Sequence, residues 1–286
     1  MKQKLRISIV IPVYNEGDGL RLCLQAIERL EIPPFEVIVV DNNSNDHSAD
    51  VARSFAFVKL ISEGKQGVVH ARSSGFNAAS GDIIARIDAD TILYPAWTKQ
   101  VTKLFKSEPN LAAVSGPPDY YDFVLRKVAN WIDRRMRNFL AKHLRRHLFL
   151  YGSNMAIRRS AWVEVRQTQC AKSGIHEDLD LAIHLQLNGF TIAYDRSLVA
   201  GVSMRRFGSG FINFIRYTLV SPRSYAAHSL AYGLYIYPVV FACWVLYAPA
   251  HIFLLSYDET NKTLSWRYFW ANRQQPARVD PTINVA

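Results

Sequence analysis

The chain has 286 residues, enough to bury a full core as one large domain or as a domain with an appendage. With 49% hydrophobic and 20% charged residues it falls outside the disordered class, and its formal charge of +10 points to an anionic partner: nucleotide phosphate, acidic lipid or nucleic acid. Cys23, Cys170 and Cys243 are too widely spaced for a zinc pattern or a disulfide framework, which suggests a reducing compartment.

The first apolar run meets Pro12 and Asn15-Glu16 where a signal peptide needs a longer core and a small-residue cleavage site, so it reads as a strand. Leu5 to Val13 is apolar and β-branched almost throughout, as in a strand covered on both faces of a parallel sheet. Leu20, Cys23, Leu24, Ile27 and Leu30 then recur at helical spacing. Phe35 to Asp41 is a second buried strand, and Asn42 to Asp46 is a turn and cap cluster opening another helix. Phe57 to Ser62 is a third strand. Val68 to Ser80 is a helix closed by Gly81, and Asp82 to Asp88 is a fourth strand. Leu111 to Gly116 is a fifth, ended by Pro117-Pro118.

Such alternation predicts βαβ units with right-handed crossovers and a mostly parallel sheet, whose ligands sit at the carboxyl ends of the strands. Tyr14-Asn15-Glu16, Asp41-Asn42-Asn43 and Asp88-Ala89-Asp90 all fall at those ends. Side chains two apart on an extended chain point the same way, so Asp88 and Asp90 can converge. Two hard oxygen ligands with open positions left over suit Mg²⁺ or Mn²⁺ shared with a phosphorylated substrate. Plainer readings compete: a solvated turn for Asp88 and Asp90, a strand end for Pro12 and Tyr14, a helix cap for Asp41.

From Asp119 to Leu150 the α/β rhythm is lost. Arg126, Lys127, Arg134, Arg135, Arg137, Lys142, Arg145 and Arg146 interleave there with Trp131, Ile132, Met136, Phe139 and Leu140. This pattern reads as a basic helix on an anionic membrane surface or as a solvated helix packed on the core, with nucleic-acid binding the weaker option. Tyr151 to Ile157 returns to the sheet and Arg158-Arg159-Ser160 opens a helix. A further helix runs from Asp178 to Asn188 and a late strand from Phe190 to Tyr194. Glu177, Asp178 and Asp180 can serve the helix dipole or, for one of them, acid–base chemistry. His176 and His184 read as structural. Ser224 to Tyr257 has no Lys, Arg, Asp or Glu, and Gly233 to Tyr257 is long enough to cross a bilayer or to form a buried core helix. Arg205, Arg206, Arg216 and Arg223 before it would hold the preceding domain in the cytoplasm.

Taken in order, Ile9-Val10-Ile11-Pro12-Val13-Tyr14-Asn15-Glu16, Val39-Val40-Asp41-Asn42-Asn43-Ser44, Gly67 with Ala71-Arg72, and Asp88-Ala89-Asp90 resemble the family 2 glycosyltransferases of the GT-A fold. Gly152-Ser153-Asn154-Met155-Ala156-Ile157-Arg158-Arg159 and His176-Glu177-Asp178-Leu179-Asp180-Leu181 extend the resemblance. It implies a nucleotide-diphospho-sugar donor, a divalent metal (Mg²⁺ or Mn²⁺) and inversion at the anomeric carbon. Position by position it implies that Pro12, Tyr14 and Glu16 form the first nucleotide loop. Asp41 then hydrogen-bonds the base with Asn43 nearby, and Arg72 and Lys65 face the donor. Asp88 and Asp90 hold ribose and metal-diphosphate, and Asp178 is the base with Glu177 as lesser candidate. Processive members carry Gln-x-x-Arg-Trp where this chain has Ser203-Met204-Arg205-Arg206-Phe207. The departure argues for transfer of one sugar, with Arg205 or Arg206 left to contact diphosphate.

The expected architecture is α/β of the GT-A type, mostly parallel and flanked by helices. The catalytic domain covers residues 1–200 with a basic amphipathic insertion over 117–150. A helical, membrane-associating region covers 201–271, and a flexible tail 272–286. The expected partners are a sugar nucleotide, a glycan or lipid-linked acceptor in cell-envelope synthesis, and the cytoplasmic face of a membrane, without nucleic acid. A polyprenyl-phosphate sugar synthase and a catalytically silent, membrane-bound nucleotide-sugar sensor are the alternatives.

Overall fold

Apolar runs with no polar face must be covered on both sides, and the computed structural model builds its main sheet between two layers of helices. The structure describes residues 5–123, 125–143, 149–170, 174–205, 210–228, 233–258 and 263–272. The first half alternates as expected: β1 (Ile7–Val13), α1 (Gly17–Glu28), β2 (Glu36–Asp41), α2 (Ser48–Arg53), β3 (Val58–Ser62), α3 (Val68–Ala78) and β4 (Ile83–Arg86). Then come β5 (Ile92–Leu93), α4 (Trp97–Ser107), β6 (Leu111–Ser115), β7 (Pro118–Tyr120) and the basic helix α5 (Arg126–His143). The chain returns through β8 (Met155–Arg158), α6 (Arg159–Val165), α7 (Glu177–Leu187), β9 (Thr191–Tyr194) and β10 (Ala200–Val202). Helices α8 (Phe211–Thr218), α9 (Val220–Ala227) and α10 (Gly233–Ser256) follow, then the hairpin β11 (Tyr257–Asp258) and β12 (Thr263–Leu264) and helix α11 (Trp266–Asn272).

The seven-stranded sheet has the order β3-β2-β1-β4-β8-β6-β9. Only β8 runs antiparallel to its neighbours, pairing Arg86 with Met155 on one side and Ser115 with Met155 on the other. Its reversal brings its N-terminal approach, Gly152 to Asn154, to the edge where β1, β2 and β4 end. A small sheet, β5-β10-β7, stands beside that edge.

Period-two alternation divides the core. Ile9, Ile11, Val37 and Val39 pack on one face with Leu20, Leu24, Trp97 and Phe105. Val10, Ile38 and Val40 pack on the other with Phe76, Trp162 and Leu181. Each such aliphatic side chain contributes about 1.5–3 kcal/mol by leaving water. Helix α3 lies close on this second face: a Cβ at Gly75 would stand 2.3 Å from Val10 Cγ1.

Three details differ from expectation. β4 stops at Arg86, two residues early, and Asp88-Ala89-Asp90 is a turn in which the Thr91 N–H reaches the Asp88 carbonyl at 3.0 Å. Strand alternation therefore does not aim the two carboxylates. The return strand begins at Met155, with Tyr151 to Asn154 forming a turn closed by the Asn154 N–H on the Tyr151 carbonyl at 2.9 Å. Arg137, expected on the basic face of α5, instead pairs inward with Asp133 and stacks on Tyr151, with its guanidinium carbon 3.5 Å from the ring centroid.

Within α10, Leu234–Phe253 is long and apolar enough to cross a membrane, and 17% of that stretch is buried. Ile236 and Val240 pack on Leu140, Leu179, Ile183 and Tyr225, while Leu234, Tyr235, Phe241, Val245 and Ile252 face outward. Arg145 and Arg146 of the basic stretch and the tail from 273 onward lie outside the described residues.

Candidate active site

The loops after β1 and β2 are stitched to each other through polar side chains. Asn15 and Asn43 both adopt positive φ, at 52° and 63°, the left-handed region that asparagine tolerates better than most residues. Asn15 N–H donates to Ser44 Oγ at 3.1 Å, and its own Oδ1 accepts the Asn45 N–H at 2.8 Å. Glu16 N–H reaches Ser48 Oγ at 3.0 Å. Asp41 Oδ1 accepts the Ser44 N–H at 3.2 Å, a short turn contact that holds the loop's shape. Pro12 lies within β1, opposite Val40, and does not end the strand; Tyr14 is half-buried at the loop it begins.

Asn42, which the sequence did not single out, is buried and ties down the following loop. Its amide donates to the carbonyls of Glu63 and Lys65 at 2.9 and 2.8 Å, and its Oδ1 accepts the Gly67 N–H at 2.7 Å. Asn43 donates to the Gly64 carbonyl at 2.9 Å. Lys65 is exposed on this loop, held by its backbone.

The second group surrounds Arg86 at the end of β4. Its guanidinium is almost fully buried between Asp88 Oδ1 at 3.0 Å and Glu177 Oε1 at 2.9 Å. Gly152 makes room for it: a Cβ there would stand 1.2 Å from Arg86 Nη1. Gly152 also donates its N–H to Asp178 Oδ2 at 2.8 Å, while Asp178 Oδ1 accepts the Leu179 N–H at 2.8 Å. Burial pushes the Asp178 carboxyl upward, against the pull of Arg86 and the two N–H donors. Burial raises Glu177 likewise, although Arg86 opposes it. Of the two, Glu177 is the one engaged by a cation at contact distance.

Arg72 does not face the donor loops. It is fully buried, donating to the Glu177 carbonyl at 2.7 Å and to Gln169 Oε1 at 3.1 Å, with Phe76 and Trp162 against its guanidinium. The reason is local: the α3 face that carries Arg72 is covered by α6 and the start of α7. It positions the helix that bears Asp178.

The third group joins the end of the α/β unit to its beginning. Arg205 Nη2 lies 3.0 Å from Glu16 Oε2 and 2.9 Å from Asp90 Oδ2, with Asp90 buried and Arg205 half-exposed. Its segment is anchored by Asp122, which accepts from Met204 N–H at 2.8 Å and Ser203 Oγ at 2.5 Å. Tyr121 O–H donates to the Asp90 carbonyl at 3.1 Å, and burial pushes its phenol up to about 12. Arg206 lies outside the described residues. The buried Cys23 thiol sits beneath the turn, 3.9 Å from the Asp88 carbonyl, and burial holds it protonated.

Sequence reasoning missed Arg86, Gly152, Asn42 and Asp122. Arg86 had a signal: a charged side chain ending an otherwise apolar strand, two residues before Asp88. The acidic donor set of Asp88 and Asp90 suits a hard divalent ion, and a guanidinium already bridges Asp90 and Glu16, so the position attracts cations.

Residues 8–165, more than half of the chain, match the model of glycosyl transferase family 2. A glycosyltransferase of Haloferax volcanii, AglE, is 36% identical over 101 residues, 33% of this chain and 33% of that protein. The undecaprenyl-phosphate 4-deoxy-4-formamido-L-arabinose transferase of Yersinia enterocolitica is 36% identical over 94 residues, 30% of this chain and 29% of its own length. The matched segments thus span about a third of these curated relatives. The fold is similar to that of the mannosyltransferase PcManGT from Pyrobaculum calidifontis in complex with GDP-Man and Mn²⁺, with TM-score 0.64 and 17% identity over 87% of this chain and 74% of that one. It is also similar to S. aureus TarS with UDP-GlcNAc, with TM-score 0.54 and 13% identity over 76% of this chain and 66% of that one. The architecture is the GT-A fold, and the chain belongs to glycosyl transferase family 2.

Proposed function

We propose that the protein transfers a single sugar, with inversion, from a nucleotide-diphospho-sugar to a hydroxyl of a glycan or lipid-linked acceptor in cell-envelope synthesis. The observation that carries the reading is Arg86, which joins the Asp88 turn to the helix start bearing Glu177 and Asp178 at one edge of the sheet. The donor-binding residues would be Pro12, Tyr14, Glu16, Asp41, Asn43, Lys65 and Arg206, with Asp88 shared between donor and metal. Asp88 and Asp90 would hold Mg²⁺ or Mn²⁺, which when bound neutralises charge on the departing diphosphate.

Asp178 supplies the base. Its carboxylate takes the acceptor hydroxyl proton as the oxygen bonds to the anomeric carbon. Burial raises its pKa, which strengthens it as a base. The Gly152 and Leu179 N–H groups hold it in place, and together with the charge of Arg86 they limit that rise. Attack from the side opposite the diphosphate inverts the sugar in one displacement.

A second reading, transfer to a polyprenyl phosphate, is favoured by the outward apolar face of α10 and by similarity to the Yersinia transferase. A phosphate acceptor is already an anion and needs no base. In either case residues 1–200 would be the catalytic domain, carrying the insertion over 117–150. Residues 201–271 would hold it at the cytoplasmic face of a membrane, aided by exposed Trp131 and Phe139 on α5.

Binding and turnover measured across UDP-, GDP- and dTDP-sugars with Mn²⁺, on wild type beside Asp90→Ala, test the proposal. Metal-dependent binding and turnover of a donor, lost in Asp90→Ala, supports it. Binding without transfer to any acceptor favours the silent sensor, and no binding by the folded protein overturns the reading.

A further inference from the structure

Behind the active-site edge, four side chains of metal-ligating type converge on one point. They are Cys170, in the segment after α6; Asp180 and His184, one turn apart on α7; and His228, which closes α9. One ligand atom from each lies within 4.8 Å of all the others. Cys170 Sγ is 3.9 Å from His184 Nε2 and 4.0 Å from His228 Nε2, while Asp180 Oδ1 is 3.5 and 2.9 Å from the same nitrogens. Around a tetrahedral zinc ion such ligand atoms stand roughly 3.3–3.6 Å apart, given its bond lengths to sulfur, nitrogen and oxygen. The four observed separations, from 2.9 to 4.0 Å, bracket that range.

We infer that Cys170, Asp180, His184 and His228 form a structural zinc site, separate from the cation position at Asp88 and Asp90. The charges balance: one thiolate and one carboxylate offset Zn²⁺, with both imidazoles neutral, which a buried site requires. Asp180, His228 and His184 side chains are 1%, 7% and 13% exposed. Asp180 Oδ2 accepts the Cys170 N–H at 3.0 Å, which orients the carboxylate so that Oδ1 faces the imidazoles. Soft sulfur with two imidazoles selects zinc over Mg²⁺ or Mn²⁺. Four protein ligands close the coordination sphere, so the ion is structural. It would fasten α7, whose first turn carries Asp178, to α9, which leads into α10. The cysteine spacing that argued against a zinc pattern missed this group because its ligands come from three separate elements. Asp180 and His184 at i, i+4 were the readable part.

The test is elemental analysis and cobalt substitution of the full chain. Wild type purified without chelator should carry one zinc per chain and keep it in excess Mg²⁺. Exchanged with Co²⁺ it should show a thiolate-to-cobalt charge-transfer band and the visible bands of a tetrahedral ion. Cys170→Ser should lose the charge-transfer band, while Asp90→Ala should keep both zinc and spectrum. The wild-type cobalt spectrum decides the matter even if Cys170→Ser does not fold. Substoichiometric zinc with no cobalt–thiolate band overturns the inference, as does zinc retained by a folded Cys170→Ser, His228→Ala variant.

Discussion

The two sides of the sheet edge are built in different ways. On one, the loops after β1 and β2 are held by asparagine and serine side chains bonding to backbone a short distance along the chain or on the neighbouring strand. On the other, Arg86, Gly152, Glu177 and Asp178 come from three distant stretches and are held by buried charge. Hydrogen bonds to backbone fix shape without regard to protonation. Buried charges fix shape only while they stay paired, and they alter each other's proton affinity. The first side therefore suits binding a constant ligand, and the second suits chemistry.

The largest expected effect comes from removing the proposed base. Asp178→Asn should lower kcat for a hydroxyl acceptor by about 10³-fold, the middle of the range for a positioned general base, with donor binding preserved. The wild-type pH profile carries the same information. As the proposed base, Asp178 would work ionised, so activity should be present above its pKa and fall as pH drops through it. Because burial raises that pKa, the fall begins at higher pH than for an ordinary carboxylate near about 4. The limb should vanish in Asp178→Asn. Unchanged transfer in this variant would establish the phosphate-acceptor reading instead.

The next effect separates the two sides by stability. Gly152→Ala places a Cβ where Arg86 Nη1 lies, so Arg86 must give up its contact with Glu177, leaving the buried carboxylate only the longer 3.9 Å pairing with Arg72 Nη1. Breaking a buried pair costs about 3–5 kcal/mol, and we expect a loss near the lower figure in denaturant unfolding. Combining it with Arg86→Met should cost little beyond Arg86→Met alone, since both remove the same contact. Additive losses would show that Gly152 acts through something other than Arg86.

The same contrast decides what could be read in advance. β1, β2 and β4 announce themselves by composition, and their order implies a sheet edge with Glu16, Asp41 and Asp88 near it. Nothing in Met155-Ala156-Ile157-Arg158 states that its strand runs backwards, yet that reversal delivers Gly152 to Arg86. Arg72 was misread because its exposure depends on which helices cover α3, a tertiary fact invisible to helical periodicity. The Asp88–Asp90 pair was aimed by a strand rule, although Arg86 ends the strand first. Asn42 was passed over because a turn asparagine and a buried loop anchor look alike in sequence. Local rules recovered the elements; long-range pairing of charges decided the site.

The smallest expected effect concerns Arg205, the contact through which the end of the α/β unit reaches its beginning. Its guanidinium bridges Glu16 and Asp90, and with Arg205 half-exposed such a pair contributes under about 1 kcal/mol to folding. The unfolding midpoint of Arg205→Ala should scarcely move. Ligand titrations should respond in opposite directions. Without donor, Mn²⁺ no longer competes with a guanidinium for Asp90, so its apparent affinity should rise by a few-fold, the scale of an exposed ion pair. With donor, a guanidinium released from Asp90 would be free to meet the diphosphate, so donor KM should rise in Arg205→Ala. Tighter metal with weaker donor identifies Arg205 as a residue that exchanges one anionic partner for another. A fall in both affinities would mean that Arg205 only holds Asp90 in place, and the two sides of the edge would then be joined by structure alone.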